Sequence, residues 1–491
     1  MRYDSIIIGS GLSGLTCALL LARSGRKVMV VEQHASPAPV VSGFRRSGIY
    51  FDSGFHYAGG AGEGGPLQVF LRHLELDKQL TLFPYAGDGF DRLHLSSSGE
   101  DYLLPVGFGA IRRYLTEQFP AAGDAIEHYL NEIEGTWRHV PYLNLDLDLA
   151  DFGMASVHGM SLQQRLEVFS RWPQLQSLLS MHSLLYGVSP AQTPLSLNAQ
   201  VAGSYYHSVH GIVGGGRSLI ESYLTLLDKG GVALRCNARV ESILADDKGI
   251  SGIRLETGEE IFSTEVVATV NPVQLAKLLP ATGVRPAYRK RLQKLQQTTS
   301  AYIVFARSDE SLEFLRHRNL FVQPEGGIFP AGHDVSIEKR SFYLAGADQG
   351  RDGKIKGLIG IVPADYSEVS DWSFAEKERS AAYRKWKKEI AGELLQLFYC
   401  QCPQLPLLEL LELATPLTLR DYSLAPRGAV YGVGRQLGQY NPQPATRLPG
   451  LYLAGQAVAG PGLLGTLVSS YLACGTILGH DLLRGELREY C

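Results

Sequence analysis

Three stretches of this 491-residue chain predict an α/β fold with a mixed α+β unit inserted into it. A strand, a glycine turn, a helix and a second strand follow one another over residues 3–33. An uncharged, glycine-rich strand and helix stand near the other end, at 450–479. Between them, residues 211–272 read as one helix followed by short strands with turn signals at Lys229-Gly-Gly, Asp247-Lys-Gly and Thr257-Gly.

In YDSIIIGSGLSGLTCALLLARSGRKVMVVEQ, Ile6–Ile8 is an unbroken β-branched run, as a strand covered on both faces requires. Gly9, Gly11 and Gly14 follow in the G-x-G-x-x-G pattern, with Ser10, Leu12 and Ser13 completing the loop. The first glycine permits the tight turn, the second lets backbone approach a pyrophosphate, and the third lets helix and strand pack closely. The start of the helix offers free N–H groups and a partial positive charge to that anion. Val28–Val31 predicts the second strand, ending at Glu32-Gln33. A carboxylate at this distance accepts the hydroxyls of an adenosine ribose, which favours FAD or NAD over NADP.

NAD needs only this front module, whereas FAD is longer and its ring system must be held elsewhere. LPGLYLAGQ supplies a second strand-to-turn element, with Leu451–Leu453 as the strand and Gly455 as bare backbone. GPGLLGTLVSSYLACGTIL then predicts a glycine loop entering a helix at about Gly465. Such an element suits the pyrophosphate and ribityl chain, with the helix N-terminus directed at the pyrimidine edge of a flavin. Hydropathy alone would suggest a membrane span here. The glycines and Pro461 argue instead for a segment lying against cofactor and sheet, so no transmembrane helix is expected.

Composition narrows the function classes. A net charge of -3 excludes nucleic acid as a main partner, since phosphate binding needs a clustered basic surface. Six scattered cysteines suit reduced thiols in a cytoplasmic protein, and Cys400-Gln-Cys402 has the spacing of neither a zinc site nor a redox dithiol. The first residues run directly into a strand, so a signal peptide is not expected. No histidine pair with a carboxylate has ligand spacing, so no metal is expected.

Together with GIYFDSGFHYAGG (Gly48–Gly60) and ATPLTLRDYSLAPRGAVYG (Ala414–Gly432), these segments resemble the phytoene desaturase superfamily, and within it the retinol saturase and carotenoid isomerase branch. The resemblance implies a Rossmann-like FAD-binding domain of the GR2 flavoprotein type with an inserted mixed α+β substrate domain. The cofactor domain would be discontinuous over 1–95, 205–272 and 412–491, and the substrate domain would take 96–204 and 273–411. Gly54 and His56 would run beside the isoalloxazine, Val240 would offer its backbone to the adenine, and Gly455, Gln456, Gly462, Leu463 and Leu464 would line the remainder. The chain departs from that branch at Ala38-Pro39, where a Gly-Gly pair is usual. Proline removes an N–H and fixes φ, so the loop is expected to take another course.

A flavin passes hydride through N5, so the protein has to place carbon against it and exclude water. His56 is a candidate proton donor or ring partner. Arg427 would stabilise charge on reduced flavin or pin its loop, and Tyr431 stands in the same segment. His207 and His210 read as structural. LQSLLSMHSLLYG (Leu175–Gly187) reads as core or as tunnel wall, and the basic runs 285–294 and 384–388 read as solvated faces or as contacts for anionic lipid. With no second G-x-G-x-x-G, electrons would come from or leave to a separate partner. The expected activity is oxidoreduction or isomerisation at a carbon–carbon double bond of an apolar isoprenoid, in a cytoplasmic protein with contact to a membrane surface. Two rivals are weighed. Amine oxidation would need an aromatic cage, for which the aromatics look too dispersed. Prenyl-protein binding of the GDP-dissociation-inhibitor type would tolerate an eroded pyrophosphate loop, which Gly9, Gly11 and Gly14 do not show.

Overall fold

A computed structural model describes residues 2–140, 142–149, 159–280, 283–324, 335–351, 353–372 and 379–491. At its centre lies a five-stranded parallel sheet in the order Ala233–Arg235, Val28–Val31, Ser5–Ile8, Val266–Ala268, Leu451–Leu453. Strands from both ends of the chain and from the middle tract thus share one sheet. Side chains alternate along it. Ile7, Val30 and Val267 join the core under the helices, while Ile6, Ile8, Val31 and Val266 face the antiparallel sheet formed by Val240–Asp246, Gly249–Leu255 and Glu260–Phe262. Burial on both faces is why Ile6–Ile8, Val28–Val31 and Val266–Ala268 are apolar at every position, whereas the half-buried edge strand Ala233–Arg235 ends in an arginine.

Helices Leu12–Arg23, Gly215–Lys229 and Gly462–Leu478 cover the first face. The last begins at Gly462, earlier than the sequence suggests, because Pro461 fixes the N-cap and Gly465 packs directly on Gly460 O. At 17 residues it is about 26 Å long, shorter than a bilayer core. Among the described residues no helix is long and apolar enough to cross a membrane. Small side chains let this helix lie close to Leu12–Arg23: Ser470 Oγ donates to Ser13 O at 3.2 Å, and Cys474 Sγ lies 3.8 Å from Cys17 O. Its lack of charge follows from burial against helices Leu12–Arg23, Pro66–His73 and His480–Arg488 and the strand Ala58–Gly59.

A second, seven-stranded sheet runs Glu409–Ala414, Ser300–Arg307, Gly357–Ala364, Phe342–Gly346, Asn319–Gln323, Asp91–Leu95, Asp101–Leu104. All its neighbours are antiparallel except Asn319–Gln323 with Asp91–Leu95. The strand Asp91–Leu95 therefore belongs to this sheet, although the sequence boundary at residue 95 assigns it to the cofactor domain. The ladder that claims it is formed with residues more than two hundred positions away. Helices Gly123–Arg138 and Leu195–His207 pack beside the sheet, and the large cavities lie between this layer and the five-stranded sheet.

Candidate active site

The front turn and the back helix meet, as a cofactor spanning both requires. A Cβ on Gly14 would lie 2.0 Å from Gly9 O, so only glycine lets the helix start against its own turn. Gly11 precedes that helix, no side chain caps its first N–H groups, and nothing lies within 4 Å of where a Cβ on Gly11 would stand. Helix Gly462–Leu478 is likewise free of a side-chain cap. Ser13 Oγ donates to Thr466 O at 3.3 Å, and Gly455 N–H donates to Ser469 Oγ at 2.7 Å. Two uncapped helix starts and bare backbone in one cleft fit a dinucleotide's phosphates and ring edge.

Glu32 is buried and already engaged. Its Oε2 accepts from Ser10 N–H (3.0 Å) and Ser10 O–H (2.7 Å), and its Oε1 accepts from His34 N–H (3.0 Å). Oε1, with one donor, keeps a further lone pair for a ribose, whereas Oε2 already accepts two. Val240 begins its strand two residues after Ala238, whose N–H donates to Glu32 O at 2.7 Å. Gln33 lies half-buried against His34, and Leu12 is half-buried on the helix core. The Ala38-Pro39 loop is tied to the same cluster, since Ala38 N–H donates to Ser10 Oγ at 2.9 Å. Ala38 has φ 44°, the left-handed conformation a glycine would take, so at this residue the backbone makes a glycine-like turn without the glycine.

Beside the cradle two cavities adjoin, sharing Leu185, Tyr205, Gly462 and Leu463 as common wall. Into the second the fold brings Tyr57, Tyr205, Tyr343 and Tyr431 from four separate segments. Tyr57 and Tyr205 have ring centroids 4.7 Å apart, and Tyr57 and Tyr343 are near-parallel at 12°. The aromatics that look dispersed along the chain are thus gathered in space, which corrects that expectation. Burial pushes all four phenols above their usual range, and Asp91 adds to this at Tyr57. Gly54, half-buried His56, Leu463 and Tyr431 line this cavity, and Leu464 lines its neighbour. Gln456 is half-buried near Gly432, outside both linings.

Behind the tyrosines lies a buried polar cluster that sequence reasoning missed. Asp91 has no exposed surface and accepts from Tyr57 O–H (3.1 Å) and Asn319 Nδ2 (2.8 Å), with His182 Nε2 at 2.9 Å. Tyr343 O–H donates to Asn319 Oδ1 at 2.8 Å. The register pairing Asn319 with Asp91 and Phe321 with Tyr343 assembles it. One signal was present: in DRLHL, Asp91 occupies the same face as Leu93 and Leu95, an acid in an apolar register.

His56 also lines a smaller polar cavity with Asp52, Asp348 and Gln349. Burial holds the His56 ring down to about 4, so at neutral pH it is uncharged and presents one N–H and one lone pair. Asp52 accepts from Gly216 N–H at 2.8 Å and Tyr50 O–H at 3.0 Å, and burial raises it to about 7. The Gly214–Gly216 run serves this contact, because a Cβ on Gly215 would fall 2.2 Å from Asp52 Oδ2.

Arg427, expected either to face reduced flavin or to pin its loop, lies away from both cavities. Its side chain is 63% exposed and pairs with Asp365 at 3.2 Å, so it pins a loop. His207 and His210 also lie outside both linings. The Leu175–Gly187 stripe divides: Leu175, Leu178 and Leu179 are core, whereas Leu184 and Leu185 are wall. Of the basic runs, Arg289 is spent on the carbonyls of Ala276 and Pro280, and Lys387 pairs with Glu412.

The geometry agrees with what the chain resembles. The sequence profile described as flavin containing amine oxidoreductase matches residues 12–478. An all-trans-retinol 13,14-reductase of Danio rerio is 25% identical over 97% of this chain and 86% of its own length. A hydroxyneurosporene desaturase of Rubrivivax gelatinosus is 26% identical, covering 97% of this chain and 93% of its own. Among solved structures, a triple mutant of putrescine oxidase superposes with a TM-score of 0.64 at 16% identity, over 97% of this chain and 99% of that one, which speaks to the fold. With a flavin cradle built from both ends of the chain and a family profile matched over nearly its whole length, the protein belongs to the flavin containing amine oxidoreductase family.

Proposed function

We propose that the chain binds FAD between Gly9–Gly14 and Gly455–Leu464 and acts on a carbon–carbon double bond of an apolar isoprenoid or polyene. One observation carries this reading. The second cavity beside the cradle is walled mainly by tyrosines, Phe55 and aliphatic side chains, and among the described residues no carboxylate, lysine or arginine lines it. Bound FAD supplies a hydride acceptor or donor. The apolar walls exclude water and hold a flat, conjugated chain against the tyrosine rings. Tyr57 is held by Asp91, Tyr431 O–H donates to Leu184 O at 3.3 Å, and neutral His56 stands ready to give or take a proton at the reacting carbon. The names of the relatives, a reductase and a desaturase, favour this substrate class. Resemblance to the saturase and isomerase branch ranks saturation or isomerisation above desaturation. Electrons would come from a separate partner. A cytoplasmic protein touching a membrane surface suits a substrate that water does not dissolve.

The test is to load the protein with FAD, reduce it anaerobically with dithionite and add all-trans-retinol. The expected result is a product heavier by one hydrogen molecule, with the flavin reoxidised. A colourless protein that takes up no added FAD ends the reading. A second reading, amine oxidation, is favoured by the near-parallel Tyr57 and Tyr343 rings. The same chamber offers a protonated amine no carboxylate, and flavin reduction by putrescine rather than reoxidation by retinol would select it.

A further inference from the structure

Arg435 lines the first cavity beside Gly460, Pro461 and Gly462. Its side chain is half-buried, and it lines the chamber. One N–H donates to Val458 O at 2.6 Å, and its other donors have no partner among the described residues. Burial alone, with no carboxylate near enough to oppose it, holds the guanidinium down to about 10, so it stays charged. A cation partly withdrawn from water with no counter-charge beside it carries a desolvation cost that an anionic ligand would offset. The start of helix Gly462–Leu478, uncapped and carrying partial positive charge, lines the same cavity.

We propose that Arg435 and the N-terminus of helix Gly462–Leu478 form one positive pole that receives the negative charge placed on the N1–C2=O edge of the flavin when it is reduced. This rests on the flavin reading above and assigns to Arg435 the role that the sequence suggested for Arg427. The occupant is the cofactor itself, because these residues line the chamber at the loop predicted to carry it.

The test uses FAD-loaded protein and sulfite, and no substrate. The sulfite lone pair forms an N–S bond at flavin N5, and the displaced electron pair settles on the N1–C2=O edge. The affinity for sulfite therefore reports positive charge there. Arg435→Gln is expected to weaken sulfite binding about tenfold or more. Its two-electron potential is expected to fall by about 30 mV for each tenfold. Arg435→Lys keeps the charge and is expected to stay within about threefold of the wild type. Arg435→Met, which keeps an apolar stem, replaces the Gln variant if that does not fold. Unchanged sulfite affinity in the neutral variant overturns the proposal. So does a Lys variant as weak as the neutral one, since shape rather than charge would then be at work. A neutral variant that loses FAD while its remaining flavin binds sulfite normally assigns Arg435 to the pyrophosphate and also overturns it. A yellow wild type with any of these three outcomes leaves the flavin reading intact, whereas a colourless wild type ends both.

Discussion

Asp52 should make this protein less stable as pH rises across neutrality. Its carboxyl sits at the start of helix Gly215–Lys229, accepts from Gly216 N–H and Tyr50 O–H, and is raised from an ordinary 3.8 to about 7, first by burial. The folded state therefore holds this proton more tightly than the unfolded state. Below the unfolded value both states are protonated and the group contributes nothing. Between that value and about 7 the unfolded chain has released its proton and the folded chain has not, so stability falls with pH. Above about 7 both are ionised and the full penalty, about 4 kcal/mol, is present. Integrated between pH 5 and pH 8, the loss is about 2.6 kcal/mol. Asp52→Asn keeps an acceptor for Gly216 N–H and removes the ionisation. Denaturant melts of wild type and variant at both pH values isolate this group, because other titrations cancel in the difference. The variant should gain about 2–3 kcal/mol on the wild type between pH 5 and pH 8. A difference that stays constant across this range would refute the reasoning.

Other substitutions test the site and its supports. Gly14→Ala places a Cβ against Gly9 O, and it is expected to cost about 1–3 kcal/mol and to lower the flavin-to-protein absorbance ratio. Asp91→Ala strands Tyr57, His182 and Asn319 in the interior, with a loss of about 3 kcal/mol or more in thermal melts. Arg427→Ala removes only an exposed ion pair, and both flavin content and stability should stay within about 1 kcal/mol of the wild type. Ala38→Gly relieves a left-handed alanine at the expense of a more flexible unfolded chain, for a net gain of about 0.5–1 kcal/mol by calorimetry.

The parts legible in the sequence are those that backbone alone specifies. Gly9, Gly11 and Gly14 mark a turn whose geometry is local, and Glu32 follows because one helix and one strand have set lengths. The uncharged run at Gly450–Gly479 announces burial, and the strand–loop–helix within it is periodic enough to read. These segments belong together because each alone is an incomplete cofactor site.

The chamber was not legible, because its side chains converge from distant segments without any shared spacing. Tyr57, Tyr205, Tyr343 and Tyr431 are ordinary aromatics until one strand of the seven-stranded sheet, helix Leu195–His207 and two loops set them around one space. Asp91 meets Asn319 through a parallel register, and register depends on which strands pair. The two arginines show the same limit. Arg427 and Arg435 stand eight residues apart in one loop-rich segment, and tertiary packing alone sends one to solvent and leaves the other half-buried in a cavity wall, without an ion-pair partner among the described residues. Local sequence determines where backbone must be bare. Burial, which sets the charge and reach of each side chain, is a property of the whole fold.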